Sequence, residues 1–149
     1  MNEGFLGTAA PRSADVVLLL EIGMAVALLI GAGLACMRRF RLHAWCQSAI
    51  VLLNLVVIVL IMVPSFHVHV SPKIPLKLGK GYYALAAAHG ALGSFTEIAG
   101  LYILLAAGTN VLPHKIRLTE YKPWMRGLLV LWWLVLLLGL ATYARWYVP

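Results

Sequence analysis

Five histidines, two acids and one amide are the residues of this 149-residue chain whose types and placement could do chemistry. They are His43, His67, His69, His89 and His114, with Glu21, Glu97 and Asn54. Neutral imidazole is the commonest metal ligand and can hold haem iron axially. Two helices that each offer a histidine at similar depth can clamp a haem. Three histidines beside a carboxyl or Met62 would suit copper instead. The spacing permits these sites without specifying one. Cys36 and Cys46 form neither CxxC nor CxxCH, which removes a zinc knuckle and a covalently attached c-type haem. No nucleophile stands beside a base, and neither a phosphate loop nor a nucleotide fingerprint is present.

The elements that must position these residues are apolar. The chain is 62% hydrophobic and 11% charged, with mean hydropathy +0.90. A soluble domain carries about 25% charged residues. An all-α integral membrane protein is expected, a single domain with spans at about 16–37, 42–63, 82–108 and 124–143. About 20 residues at 1.5 Å rise cover the roughly 30 Å hydrocarbon core, and short loops make an up-down-up-down four-helix bundle. Residues 1–15 read as a short polar tail. They lack a basic segment leading directly into an apolar run, so no cleaved leader is expected. Pro64 is expected to end the second span, leaving residues 65–80 irregular or extended.

The third span, YYALAAAHGALGSFTEIAGLYILLAAG, carries His89 near its start and Glu97 near its middle. Ionisable groups at such depth usually face a bundle interior and mark function. Gly90, Gly93, Glu97 and Gly100 share one helical face, where small residues allow close packing.

The net charge of +7 is no nucleic-acid signal, because the basic residues flank the apolar runs. Arg38, Arg39, Arg41, Lys115, Arg117, Lys122 and Arg126 lie on one side of the bundle, and Arg12, Lys73, Lys77, Lys80 and Arg145 on the other. The tight Arg38–Arg41 cluster favours a cytoplasmic position for the first basic turn, with both termini outside a bacterial inner membrane. A disulfide between cysteines beside that cluster is not expected. His43 and His114 then fall on the cytoplasmic side, and His67, His69, His89 and Glu21 on the outer side.

Each candidate also has a plainer reading. His67 and His69 can be solvated loop residues, His43 an interfacial one, and His114 a headgroup contact. His89, several residues inside a span, calls for a partner: a ligand, a proton-relay group or a packing hydrogen bond. Glu97 can be a neutral carboxyl bonded to Asn54 across the bundle, or part of a proton path or quinone contact. Glu21 is a shallow ligand or a bundle hydrogen bond. Trp132 and Trp133 are lipid-facing or packing residues.

With those residues placed, the pattern resembles the bacterial membrane family catalogued as domain of unknown function 420, which includes the CtaM-type proteins. The resemblance rests on RRFRLHAWCQ at His43, PSFHVH at His67 or His69, ALAAAHGAL at His89 and LPHKIR at His114. Pro123, Trp124, Gly139 and Tyr143 are similar to that family's closing pattern, and the likeness covers about residues 16–147. Cys46 stands where a Met is common in the family. The loop between the second and third spans is short and lacks the usual aromatic and glycine content. The resemblance implies a role around haem–copper oxidases, through their maturation, and a four-histidine layout like that of haem-handling bundles.

The expected function is a non-catalytic membrane protein of the respiratory chain that assists a haem–copper oxidase or related redox complex. His67 or His69 with His89 would form an outer haem b or copper site, and His43 with His114 an inner one. Two other classes stay open: a cofactor-free accessory subunit of a larger redox or photosynthetic complex, and a quinone- or proton-handling subunit using His89 and Glu97.

Overall fold

The computed structural model describes residues 4–77 and 79–148. In chain order the helices are α1 (Arg12–Cys36), α2 (Phe40–Val57), α3 (Val63–His69), α4 (Ile74–Lys77), α5 (Gly81–Gly108) and α6 (Tyr121–Tyr147), with no strand among the described residues. Four stretches are long and apolar enough to cross a membrane: Arg12–Cys36, Phe40–Lys77, Tyr83–Gly108 and Tyr121–Tyr147. The 28 residues of α5 run about 42 Å, against a hydrocarbon core of about 30 Å.

Pro64 does not end the second long helix. Proline lacks an N–H, and its ring clashes with the carbonyl four residues earlier, here that of Leu60. Ile58–Met62 form a wider π-helical turn around that carbonyl, and the helix resumes as α3 through His69. The stretch expected to be irregular is therefore mostly helical, with a 3-10 turn at Ser71–Lys73 before α4. Pro72 sits in the first turn of that segment, where its missing N–H has no helical partner to lose.

The turn after α1 has a defined geometry. Arg39 N–H donates to Leu34 O and Arg38 N–H to Ala35 O, the paired bonds of a Schellman ending. That ending needs a left-handed residue, and here Arg38 supplies it with φ 59°.

The helices pack as a ring. α5 lies mainly on α6 and α1 mainly on α2, while lighter α1–α6 and α2–α5 contacts close the circle. His43, early in α2, meets Gly31, late in α1, and Tyr83, early in α5, meets Trp146, late in α6. Glycines set the approach of α5. A Cβ on Gly90 would touch Phe66, one on Gly93 would touch Val135, and one on Gly100 would touch Val51 and Leu128. The shared small face thus serves two neighbours rather than one.

Met24, Leu28 and Ile50, with Leu129 and Trp132 against them, make one core cluster. Val70, Tyr83 and Ala86 make another towards the end of the bundle where residues 4–15 and 143–147 gather. Outward-facing Leu60, Phe95 and Val130 are exposed, an apolar rim suited to lipid.

Two polar devices fasten the ends. Arg117 caps α5, donating to Ala106 O at 2.8 Å and Thr109 O at 2.8 Å, where a cation meets the negative end of the helix dipole. Tyr121 OH adds a bond to the same Ala106 O at 3.0 Å. At the opposite end, Asp15 is fully buried. Its carboxylate accepts from Phe5 N–H at 2.7 Å, Leu6 N–H at 3.0 Å and Tyr143 OH at 2.6 Å. The segment before α1 is therefore folded over the bundle end as a clasp.

Candidate functional site

The half of the bundle nearest that clasp holds a half-open cavity of about 850 Å³ bordered by all four long helical stretches. Its wall is mostly apolar, built by Leu18, Ile58, Ile61, Met62, Ala86 and Leu140 among others. The chemistry-bearing side chains at its edge are Glu21 on α1, Asn54 on α2, His67 and His69 on α3, His89 on α5 and Tyr143 on α6. A mostly apolar enclosure with a few placed polar groups is the usual composition of a ligand site.

Of the histidines that border the cavity, His89 alone is held by a neighbouring helix. Its Nδ1 lies 3.0 Å from Val135 O. That carbonyl belongs to α6, so the ring bridges the closest helix pair. Gly139, one turn further along α6, makes room for it: a Cβ there would come 2.9 Å from His89 Cε1. Because a carbonyl only accepts, Nδ1–H donates to Val135 O, and Nε2 is the nitrogen left to accept or ligate, the arrangement that orients ligating histidines.

His67 and His69 border the same cavity from α3 and are exposed. His69 Nδ1 lies 3.0 Å from Ser65 O, within its own helix. The three histidines of the clasp half thus share a cavity but do not close on a point. Among the described residues, no group of three or more His, Cys, Asp or Glu side chains could hold a metal ion. The expected three-histidine copper cluster is not assembled. His89 from α5 and His67 and His69 from α3 border one apolar cavity; haem iron asks for only one or two axial ligands, fewer than a copper cluster needs.

His43 and His114 are not brought to this cavity. His43 Nδ1 lies 2.8 Å from Gly31 O and fastens α1 to α2. His114 is exposed on the 3-10 turn His114–Ile116. The inner histidine pair expected from topology therefore has a structural use at one member and a surface position at the other.

Asn54 and Glu97 do meet: Asn54 Nδ2 donates to Glu97 Oε2 at 2.9 Å. Glu97 is only 3% exposed, and its Oε1 is buried without a partner. Of the two readings of Glu21, a shallow ligand or a bundle hydrogen bond, the second is not made. Among the described residues it makes no hydrogen bond, and it borders both the large cavity and a small void of about 30 Å³ below it. Trp132 borders that void too, and its Nε1 is buried and unpartnered.

Three working residues had no clear sequence signal. Asp15 reads as part of the polar tail, Gly139 only as part of the closing pattern of the resemblance, and Arg117 as one cation among those flanking the apolar runs. Gly139 and Tyr143 carried a hint, through the resemblance to a closing Gly–Tyr pattern.

The fold and site together define an all-α chain whose four long apolar helical stretches surround a half-open cavity edged by histidines and a carboxyl. No family model, curated protein or solved structure matches the chain.

Proposed function

We propose that this chain is a multi-pass protein of a bacterial cytoplasmic membrane, an up-down-up-down bundle that holds a flat apolar redox group in its cavity on behalf of a larger redox complex. The observation that carries the reading is His89: one ring nitrogen is fixed to Val135 O, the ring is seated against Gly139, and the side chain borders a cavity of about 850 Å³. Haem b is the group this donor set fits. His89 would hold it from α5, and His67 or His69 from α3. A bound haem supplies one-electron transfer; the chain itself orients the imidazoles and excludes water through its apolar wall. No substrate bond is made or broken.

The contact register supports the topology, since residues late in each long helix meet residues early in the next. The Arg38–Arg41 turn, on the positive-inside rule, then lies in the cytoplasm and both termini lie outside. The partner comes from the resemblance described above, which points to a haem–copper oxidase or a relative of it.

A reduced-minus-oxidised optical spectrum of the purified protein in detergent, with metal analysis of the same sample, tests the reading. A b-type haem near stoichiometric amount, lost in His89→Ala while the protein still inserts, is the expected result. A folded protein with neither haem nor copper, whose His89→Ala variant only lowers assembly of its complex, would make it a cofactor-free accessory subunit instead.

A further inference from the structure

We propose that the small void beneath the cavity is a water site through which the buried Glu97 exchanges its proton with Glu21 and so with the cavity. Glu21 and Asn54 border both the void and the cavity, while Met24, Leu28 and Trp132 line the void alone.

Three observations converge on the void. Its volume of about 30 Å³ is enough for a water or two. Glu21 and Asn54 border it on one side and Trp132 on another. Trp132 Nε1, on a residue that lines the void, is buried with no partner, and Glu97 Oε1 is buried with no partner behind Asn54, outside the void's wall. Buried polar groups in native proteins are nearly always paired, with protein or with ordered water. A water in the void accepts from Trp132 Nε1 and donates to the Glu21 carboxyl or to Asn54.

Asn54 joins the two halves of the route. Its amide holds Glu97 Oε2 at 2.9 Å, and the same side chain borders both the void and the cavity. When Asn54 swings off Glu97, the water reaches the carboxyl. The Glu97 O–H bond breaks and its proton passes to the water oxygen. The water gives one of its own protons to the Glu21 carboxylate. Glu97 ends as the carboxylate and Glu21 as the acid, with no electron moved, and the reverse transfer resets the pair. The titratable groups facing the route are Glu21 from α1, Glu97 and, at the cavity edge, His89 from α5. α2 offers the neutral Asn54, and α6 offers the indoles Trp132 and Trp133.

Infrared spectroscopy of the full chain in lipid nanodiscs tests this through the stretching band of a protonated carboxyl. Glu97→Gln identifies the band that belongs to Glu97. On transfer to deuterium oxide, that band is expected to shift well before the amides of α5 exchange. Glu21→Leu, which removes the proton acceptor, and Trp132→Phe, which removes the donor that anchors the water, are each expected to slow the shift at least tenfold. Two separate folded variants protect the test against one that fails to insert. Exchange no faster than the α5 amides, unchanged exchange in both variants, or no band lost in Glu97→Gln would each overturn the proposal.

Discussion

Gly139→Ala tests whether the seat of His89 is as close as the structure makes it. Two effects oppose each other. Alanine is favoured over glycine within a helix by about 1 kcal/mol. Against this, the new Cβ would stand 2.9 Å from His89 Cε1 and 3.3 Å from Nδ1. The ring is the end of a side chain and can swing aside, but swinging breaks its bond to Val135 O. A net hydrogen bond is worth about 0.5–1.5 kcal/mol. The two effects nearly cancel, and Gly139→Ala should leave stability almost unchanged. Gly127 supplies the control on the same helix, since a Cβ there meets nothing within 4 Å. Gly127→Ala should stabilise by about 1 kcal/mol. The measurement is reversible denaturant unfolding in mixed micelles for both variants, alone and in a His89→Ala background. In that background the clash is gone, and the two alanines should become equivalent. Val135 O is not orphaned by His89→Ala, because it lies inside α6 and keeps its helical donor. If Gly139→Ala gains as much as Gly127→Ala while His89 is present, the close seat is wrong, and so is the claim that His89 is held in one orientation.

Three further outcomes are expected. Asn54→Leu leaves Glu97 buried without its donor and should destabilise by about 1–3 kcal/mol, whereas Glu97→Gln keeps an acceptor for Asn54 and should change stability little; unfolding in micelles separates them. Arg38→Gly removes the left-handed strain of about 1–2 kcal/mol and loses about 0.4–1 kcal/mol to the greater freedom of the unfolded chain, so a small net stabilisation should appear as a higher melting temperature. Asp15→Leu removes the acceptor for the Phe5 and Leu6 amides, and hydrogen exchange read by mass spectrometry should show those amides losing protection while the middle of α5 keeps its own.

The four long helices were legible because a bilayer asks for long apolar runs and little else. Their bounds were less so. Pro64 reads as a stop, yet one widened turn at Ile58–Met62 carries the helix past it, and neighbouring residues give no sign that such a turn will be used. The Asn54–Glu97 bond was legible for the opposite reason: a polar pair inside apolar spans has few partners to choose from. The histidines divided on tertiary grounds. His89, inside a span, needed a partner and found Val135 O. His67 and His69 could be assigned to the same face of the bundle but not to a common point. Asp15 was read as part of a tail because its partner Tyr143 lies 128 residues away. The same holds for Arg117, whose acceptors on α5 become visible only when the loop folds back.

The Asp15 clasp also bears on how such a chain is made. Tyr143 follows all but the last turn of α6, so the hydroxyl that Asp15 waits for leaves the ribosome only after three complete spans and most of a fourth. Until then the first helix carries a carboxylate with one of its three donors unmade. Ala9 N–H bonding to Tyr147 O at 3.1 Å extends the same dependence by one more turn. Closure of the bundle at this end is therefore an event of late synthesis, and a chain stalled before α6 would present quality control with an unlatched first span and a half-built cavity.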